Sequence, residues 1–314
     1  MSCPATVVSG VTRPHPEPMF EEGQLYAPVT RKGDEVTVHL ASDHPGVADP
    51  EYRERRNAIA AAALDWHLGD PLPVIEYTED EHRVWQVVCR ELHAKHERLA
   101  PREVVQAGEQ LRLPGDHIPQ LDEVNTLLAS HTGFRYQPAA GLVPLAEFYG
   151  LLADGAFWST QYIRHASLPL YTPEPDIIHE VVGHATTLAS PRLAAIYRAA
   201  GGAARRCTTP EALEFVSKVF WFSLEFGVLR ETGAPKAYGA GLLSSYGEIE
   251  EFVNADLRPL DIRAMGTVTY DITHYQPVLF CGDSLEHVED VVGGFFELVD
   301  DALVDELTAV VPAP

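Results

Sequence analysis

Apolar residues recur at helical spacing along most of the chain, and this pattern predicts a mostly helical protein. Residues 50–66 contain strong helix formers without an internal breaker. In residues 80–99 the apolar positions fall on one helical face, and charged residues fill the other face. Similar patterns predict further helices at 120–131, 144–154, 175–189, 210–230 and 284–310, the last with a bend at Gly293 and Gly294.

Strand signals are few and short. Residues 36–40 and 267–272 are rich in Val and Thr, and a third, weaker signal lies at 236–243. Residues 1–35 are rich in Pro and Gly, which predicts irregular structure. We therefore expect an irregular N-terminal arm at 1–40, followed by one domain at 41–314 that is mostly α with a few short β-strands.

Composition narrows the classes of partner. The formal net charge of −23 argues against binding to nucleic acid or anionic membranes, because phosphate would be repelled. The four cysteines, Cys3, Cys89, Cys207 and Cys281, form no C-x-x-C pair, which is typical of a reducing compartment. Residues 1–20 lack the apolar region of a signal peptide, and no apolar run is long enough to span a membrane. We expect a cytoplasmic protein.

Two histidines and one glutamate form the candidate catalytic group. His179 and His184 are five positions apart in Asp-Ile-Ile-His-Glu-Val-Val-Gly-His, and Glu225 lies in the apolar stretch 220–227. Two imidazoles and one carboxylate are the facial triad of non-haem Fe(II) sites. Five residues correspond to roughly 140° on a regular helix, so the rings can converge only if the helix ends or bulges near Gly183.

Other interpretations of these residues are possible. A zinc hydrolase would use the three residues as ligands and Glu180 as general base, but its His-Glu-x-x-His signature spaces the histidines at i and i+4. A metal-binding protein without catalytic activity is another possibility. Glu225 could instead pair with Arg164 or Lys218. A metal accounts for Glu225 and both histidines together, because a carboxylate among large apolar residues is costly to bury without a cation.

Several longer stretches resemble the pterin-dependent aromatic amino acid hydroxylases. The similar segments are Ser-Thr-Gln-Tyr-Ile-Arg-His at 159–165, Tyr-Thr-Pro-Glu-Pro-Asp-Ile-Ile-His-Glu-Val-Val-Gly-His at 171–184, 221–227, and Lys-Ala-Tyr-Gly-Ala-Gly-Leu-Leu-Ser-Ser-Tyr-Gly-Glu at 236–248. Shorter matches are Asp-His-Pro-Gly at 43–46, Ile-Pro-Gln-Leu at 118–121 and Gln-Pro at 276–277. They keep their order over roughly residues 40–300, the extent of the family's catalytic domain.

The resemblance implies an aromatic-amino-acid-hydroxylase-like fold and a set of site residues. His179, His184 and Glu225 would hold Fe(II). The amino-acid substrate would be bound by Arg164, which clamps its carboxylate, with Asp176 orienting the guanidinium. Thr172 and Ser244 would complete the polar end of the substrate site, and Trp221 would face the aromatic ring.

The resemblance also implies a site for tetrahydropterin. The pterin ring would lie beside Leu142 and Val143 and stack on Phe148, with Glu180 near its edge. Phe220, where the animal enzymes carry Tyr, and Tyr270 would lie on the same side. The chain departs from the animal enzymes at three further positions: Pro144 and Leu145 replace serines, and Trp158 replaces a histidine.

The activity implied is a monooxygenase reaction on a free aromatic amino acid, with Fe(II), tetrahydropterin and O2. Phenylalanine is the leading substrate, because Trp221 is typical of the enzymes acting on phenylalanine or tyrosine and Ile272 offers no hydrogen bond to a phenol. Para and meta hydroxylation both stay open, as does tryptophan as substrate. No room is evident for the animal enzymes' regulatory domain or tetramerising helix, so a monomer is expected.

Overall fold

The computed structural model describes residues 27–270 and 274–309. It is 54% helical and 12% strand, which confirms the prediction of a mostly α protein with a few short strands. Fourteen α-helices occur in the described residues: α1 Pro50–Asp65, α2 Glu79–Leu99, α3 Arg102–Leu111, α4 Leu121–Ala129, α5 Leu145–Ala153, α6 Thr186–Ala189, α7 Pro191–Arg206, α8 Pro210–Phe220, α9 Ala240–Ser244, α10 Glu248–Glu251, α11 Ile262–Thr267, α12 Leu285–Val288, α13 Gly294–Leu298 and α14 Asp301–Thr308.

Three segments of the described chain are π-helices, in which the backbone hydrogen bonds run from i to i+5. They are π1 His179–Ala185, π2 Trp221–Glu225 and π3 Glu289–Gly293, and one short 3₁₀ turn spans Phe252–Asn254. The first two contain the predicted metal ligands. Two of the family-like segments therefore adopt an uncommon backbone at the positions where the chemistry is expected.

The strands of the described residues form three small sheets. Their bounds are β1 Val29–Lys32, β2 Glu35–Val38, β3 Arg135–Pro138, β4 Ala156–Ser159, β5 Val228–Glu231, β6 Ala234–Ala237, β7 Asp256–Pro259 and β8 Val278–Gly282. β1 and β2 form an antiparallel hairpin, β3 and β4 a parallel pair, and the third sheet has the order β6-β5-β8-β7. In this sheet β8 runs parallel to both β5 and β7.

Local signals in the sequence explain where the long helices begin. The Asp49 side chain caps α1 by accepting hydrogen bonds from the backbone N–H groups of Glu51 and Tyr52, and Pro50 occupies the first helical turn. α2 begins with a capping box, in which Thr78 and Glu81 bond each other's backbone N–H. The apolar faces of α2 and of the later helices pack into one large core, in which Trp85, Tyr136 and Tyr197 are fully buried.

Several predicted elements differ from the structure. The helix predicted at 210–230 ends at Glu225, and β5 follows from Val228. The helix predicted at 284–310 consists of α12, π3, α13 and α14 and breaks after Leu298; π3 ends at Gly293 and α13 begins at Gly294, where the bend stays a prediction. Asp300, which caps α14, begins the new helix there.

The strand predictions are partly wrong. The 236–243 signal covers the end of β6 and the start of α9, and Thr267 ends α11, with no strand at 268–270. The last residues of the 267–272 signal lie outside the described residues. Part of the predicted irregular arm, 29–38, forms the β1–β2 hairpin, because Val36 and Val38 are buried against Ala60 of α1. The domain boundary at residue 41 stays a prediction.

Candidate active site

The two histidines meet because the helix that carries them is a π-helix. Extra residues per turn in π1 let His179 and His184, five positions apart, point the same way, whereas a regular helix would separate them. This is the bulge that the spacing required. Glu225 ends the second π-helix, π2, and reaches the histidines from there.

Gly183 is needed for the π-helix to lie against its neighbour. A Cβ at this position would be 2.6 Å from the carbonyl oxygen of Ala240 at the start of α9. A real side chain cannot tolerate that distance, so any larger residue would push α9 away. α9 also carries Ser244, which contacts the predicted metal ligand His179. The close packing of Gly183 against α9 therefore helps to position Ser244 beside His179.

The metal-binding atoms of the three residues converge. His179 Nε2 and His184 Nε2 are 3.0 Å apart. Glu225 Oε1 is 3.1 Å from His184 Nε2, and Glu225 Oε2 is 3.6 Å from His179 Nε2. One ligand atom from each residue lies within 4.8 Å of the others. We call this group the metal end of the site.

Hydrogen bonds fix the tautomer of His179. Ser244 Oγ donates its only proton to the carbonyl oxygen of Ala240, at 2.8 Å. The same oxygen lies 2.9 Å from His179 Nδ1, so it must accept a hydrogen bond from that nitrogen. The ring proton of neutral His179 is therefore on Nδ1, and Nε2 presents a lone pair to the triad.

A longer chain of hydrogen bonds does the same for His184. Thr187 Oγ1 donates to the backbone carbonyl of His184 at 2.9 Å, so it accepts from the hydroxyl of Tyr197, 3.1 Å away. The Tyr197 oxygen can then only accept from His184 Nδ1, at 2.9 Å. His184 Nε2 is consequently also a bare lone pair, and His184 is only 1% exposed.

These assignments leave two lone pairs and a carboxylate facing one another. The 3.0 Å contact between the Nε2 atoms is then not a hydrogen bond, because neither nitrogen carries a proton. Burial lowers the pKa of His179 to about 4, and the adjacent His184 acts in the same direction. Such an arrangement is repulsive without a cation between the ligand atoms. The donor set therefore fits a divalent metal ion, with partners at Nδ1 that orient both rings.

The ion pairs proposed as alternatives for Glu225 have other partners. Lys218 pairs with Glu214 at 2.8 Å, one turn away on α8. Arg164 makes a two-point contact with Asp176, from Nε to Oδ2 at 2.8 Å and from Nη2 to Oδ1 at 2.9 Å. Neither cation contacts Glu225 in the described part of the chain.

Arg164 and Asp176 form a buried, oriented pair. Their side chains are 3% and 0% exposed, and Asp176 also accepts a hydrogen bond from the backbone N–H of Arg164 at 2.8 Å. Because Asp176 occupies Nε and Nη2, the guanidinium orientation is fixed and Nη1 has no hydrogen-bond partner among the described residues. The guanidinium can therefore bind a further anion in the cavity that it lines.

One cavity of about 650 Å³ connects the predicted residues. Its lining includes all the residues that the sequence assigns to metal, substrate and pterin except Asp176, which lies behind Arg164, and Ile272, which is outside the described residues. Thr172 lines the cavity while its hydroxyl donates to the carbonyl of Glu174 at 2.7 Å. Ser244 lines it as well, but its hydroxyl is already used by His179 and Ala240, which makes it a partner of the metal end.

A second part of the cavity is built from apolar side chains, and we call Leu142, Val143, Phe148, Phe220 and Trp221 the apolar wall. The Phe148 ring meets Phe220 edge-on, at 6.1 Å between centroids. Trp221 stacks on Tyr270 at 5.0 Å, and its buried Nε1 has no hydrogen-bond partner among the residues that the structure describes. These residues shape the space by contact and supply almost no polar groups.

Glu180 is a buried carboxylate between the two parts. Burial raises its pKa to about 7, although Thr160 partly offsets this by donating from its hydroxyl at 3.0 Å. Glu180 lines the cavity, as expected for a residue near the pterin edge. It makes no contact with the atoms of the triad that bind metal.

Sequence reasoning missed the residues that support the ligands. Tyr197 and Thr187 hold His184, and Thr160 holds Glu180. Glu248 and Tyr275 also line the cavity without having been assigned a role. Thr160 and Glu248 lie inside the family-like segments, whereas no local signal marks Tyr197, which reaches the site from α7.

Comparison with known proteins agrees with the geometry. The family model of biopterin-dependent aromatic amino acid hydroxylases matches residues 27–304. The chain is 52% identical over 262 residues to phenylalanine 3-hydroxylase of Streptomyces coeruleorubidus, covering 83% of this chain and 94% of that protein. It is 40% identical over 268 residues to phenylalanine-4-hydroxylase of Bos taurus, where it spans 82% of this chain and 58% of the relative.

A solved structure shares the fold. The apo structure of the cold-active phenylalanine hydroxylase from Colwellia psychrerythraea superposes with a TM-score of 0.68 at 30% identity, over 74% of this chain and 88% of that one. The family match covers most of the chain, and the described residues include a complete His-His-Glu triad. The chain belongs to the biopterin-dependent aromatic amino acid hydroxylase family.

Proposed function

We propose that the protein hydroxylates free L-phenylalanine and that the product is meta-tyrosine. The observation that carries this proposal is a single cavity with a metal triad, an oriented arginine and an apolar aromatic lining. Membership of the family brings Fe(II), tetrahydropterin and O2 as the cofactor and co-substrates. A zinc hydrolase is not supported, because the family match is to the hydroxylases and the sequence has His-Glu-Val-Val-Gly-His in place of the His-Glu-x-x-His signature.

The fit of the iron rests on the three ligands. His179, His184 and Glu225 would hold it, with both Nε2 lone pairs directed at one point. When bound, Fe(II) supplies open coordination positions and redox chemistry toward O2, with tetrahydropterin as the electron donor. Ser244 and Tyr197 keep the imidazoles in the tautomer that binds metal.

The remaining residues position the substrate. Arg164, oriented by Asp176, would bind the α-carboxylate at its free edge. The apolar wall, Trp221 in particular, would hold the ring and exclude water from it. Arg164 would fix the substrate carboxylate at one point, and the three ligands would fix the metal at another. The distance between these two points would then determine which ring carbon lies nearest the metal.

The assignment of the meta position is supported by the relative from Streptomyces coeruleorubidus, a phenylalanine 3-hydroxylase that is 52% identical over nearly its whole length. The bovine phenylalanine-4-hydroxylase is 40% identical and longer. The apolar lining also supports phenylalanine over tyrosine, because a buried phenol without a partner would cost about 1–3 kcal/mol.

The test is product analysis. The purified protein, loaded with Fe(II), is supplied with tetrahydropterin, O2 and each of phenylalanine, tyrosine and tryptophan, and the products are separated by chromatography with mass spectrometry. Meta-tyrosine from phenylalanine is expected as the main product. Para-tyrosine would overturn the regiochemistry alone, 5-hydroxytryptophan as the preferred product would identify a tryptophan hydroxylase, and no product at all would overturn the proposed function.

We also propose that the protein acts as a cytoplasmic monomer. Like-charged copies with a net charge of −23 repel one another, and the described cysteines, Cys89, Cys207 and Cys281, are free thiols. In the described ranges, every helix is too short or too polar to cross a membrane. Light scattering of the purified protein would test the oligomeric state, and a dimer at micromolar concentration would contradict it.

A further inference from the structure

The cavity must accommodate a second charge if its substrate is a free amino acid. Arg164 accounts for the carboxylate of the zwitterion, but burying the ammonium group requires a hydrogen-bond acceptor, preferably an anion. This step rests on the proposed function, because a substrate without an ammonium group would need no such partner. The candidates are the carboxylates that line the cavity.

Two of these carboxylates are committed to other groups. Glu174 receives a hydrogen bond from Arg56 Nη1 at 2.5 Å, lies 3.4 Å from His44 Nε2, and accepts from the backbone N–H of Ala27 at 2.9 Å. Glu225 belongs to the metal end. Arg56 already balances the charge of Glu174, and Glu225 is assigned to the metal, so neither carboxylate requires an ammonium group as its counter-charge.

Two more are poorly suited for other reasons. Asp43 is exposed, so water already solvates its charge and a contact with an ammonium group would gain little. Glu180 lies next to the ligand His179, and its Oε1 accepts from the hydroxyl of Thr160. It is expected on the pterin side of the cavity, away from the oriented guanidinium.

Glu248 has a different environment. It is 8% exposed, and Oε1 accepts a hydrogen bond from the backbone N–H of Gln276 at 2.8 Å. Oε2 has no hydrogen-bond partner, and no Lys, Arg or His side chain pairs with the carboxylate in the described part of the chain. An ionised carboxylate in such a place is destabilised until a cation reaches it.

The backbone around Glu248 is held rigidly beside the substrate site. Its N–H donates to Ser245 Oγ at 3.3 Å, and the preceding turn is fixed by Lys95 Nζ, which donates to the carbonyl of Tyr246 at 2.8 Å. Lys95 is itself buried and stacks over the Tyr246 ring. Glu248 follows Ser244, the partner of His179, by four residues, so one short segment supports both the metal end and this carboxylate.

We propose that Glu248 binds the α-ammonium group of the substrate through Oε2, in the cavity that the carboxylate clamp Arg164 also lines. The site then recognises both charges of a zwitterion with two buried groups of opposite sign. Its selectivity is for an α-amino acid over a carboxylic acid with the same ring, such as 3-phenylpropanoate. Glu248 is a substrate-binding residue in this proposal and takes no part in transferring oxygen.

The pH dependence follows from the same environment. Burial raises the pKa of Glu248 to about 7, and the N–H of Gln276 offsets this only in part. Among the described residues, Tyr275 is a titratable group that faces it; the pKa of Tyr275 is raised by burial and by Glu248, so Tyr275 stays neutral near pH 7. Below about pH 7 the carboxyl is protonated and binds the ammonium group weakly. Affinity for phenylalanine should therefore increase as the pH rises through 7.

The experiment compares two ligands in three proteins. Isothermal titration calorimetry measures the Kd of L-phenylalanine and of 3-phenylpropanoate for the wild type, Glu248→Gln and the control Glu251→Gln. Glu248→Gln keeps the shape and the acceptor for Gln276, while Glu251 is exposed on the same short helix. The wild type and the control should prefer phenylalanine, and Glu248→Gln should lose about 10- to 100-fold of that preference.

Each outcome decides the proposal. Loss of affinity for phenylalanine alone, together with loss of the rise in affinity through pH 7, supports it. An unchanged ratio of the two Kd values in Glu248→Gln, or an equal weakening of both ligands, overturns it. Failure of the proposed function is distinguishable, because the wild type would then form no hydroxylated product from phenylalanine, tyrosine or tryptophan, whatever Glu248 does.

Discussion

At the metal end, both histidines are held at Nδ1 by hydroxyl groups whose own protons are committed to backbone carbonyls, directly or through Thr187. At the apolar wall of the same cavity, Leu142 is 45% exposed and Trp221 leaves its buried Nε1 without a partner. The first region is built from directional bonds, and the second is built from shape. Because a directional bond is lost entirely when one atom is removed, whereas contact is lost in proportion to area, changes in the two regions should differ in kind.

The largest effect is expected from removing a ligand. His179→Ala, His184→Ala or Glu225→Ala should abolish hydroxylation and lower iron content, because losing a ligand costs more than the roughly 10- to 100-fold typical of losing a ligand's partner. Iron is measured by plasma mass spectrometry, and the fold by circular dichroism. Glu214→Ala is the matched control, since this glutamate is on α8 and its one ion-pair partner among the described residues is Lys218. Retention of iron and activity in Glu225→Ala would contradict the ligand assignment.

The next effect concerns the clamp. Arg164→Lys should raise the KM for phenylalanine by about 10- to 100-fold, because a single ammonium group cannot contact Asp176 at two points and also bind a carboxylate. The KM for tetrahydropterin should change far less. Steady-state kinetics with each substrate varied in turn separates the two constants. Equal increases in both would indicate that Arg164 only maintains the structure.

The close contact between Gly183 and α9 at the metal end should not accommodate an added side chain. Gly183→Ala is expected to destabilise the protein by about 1–3 kcal/mol, because the new Cβ would meet the carbonyl of Ala240 at 2.6 Å. Gly150→Ala on α5 is the matched control, since nothing lies within 4 Å of its Cβ, and it should stabilise by about 0.5–1 kcal/mol. Urea denaturation measures both. A stability loss in the control as large as that of Gly183→Ala would show that packing against α9 is not the cause.

A smaller effect is expected from removing the hydrogen bond between Tyr197 and His184. Tyr197→Phe removes the acceptor at Nδ1 and should weaken iron binding by about 10-fold, with the fold retained. Tyr238→Phe provides the comparison, because the buried Tyr238 hydroxyl has no hydrogen-bond partner in the described part of the chain and its loss should leave iron binding unchanged. Iron affinity is measured by competition with a chelator. Equal losses in the two variants would contradict the proton arrangement at the metal end.

The two regions also differ in how far they could be predicted from the sequence. The ligands His179, His184 and Glu225 were predicted because a carboxylate in an apolar stretch and a histidine pair are local signals. Their i, i+5 spacing implied a bulge near Gly183, and the structure has a full π-helix there. Tyr197 was not predicted, because it reaches His184 from another helix and nothing near it in the chain indicates a polar role.

Secondary structure shows the same limit. α1 and α2 were predicted closely, since their caps and periodicity are local. The helix at 210–230 was predicted too long because the sequence of residues 228–230 is compatible with both helix and strand. β5 forms a hairpin with β6 and also pairs with β8, where Val228 lies opposite Cys281; this long-range pairing favours a strand. Ile272, predicted to disfavour tyrosine, lies outside the described residues and keeps that role as a prediction.

The smallest effect is expected at the apolar wall. Trp221→Phe should raise kcat/KM for tryptophan relative to phenylalanine by a few-fold, because the smaller ring leaves room for an indole beside Tyr270. Iron content should not change, since Trp221 Nε1, the side chain's hydrogen-bond donor, has no partner within residues 27–270 and 274–309. The measurement is the ratio of kcat/KM values for phenylalanine, tyrosine and tryptophan in both proteins, with iron quantified in the same samples. If the variant lost iron as strongly as Tyr197→Phe does, shape and directional bonding would not be separable in this cavity. If iron was retained and the ratio of kcat/KM for tryptophan to that for phenylalanine did not change, Trp221 would only pack in the core. Selection of the substrate ring would then have to be assigned to other residues of the cavity.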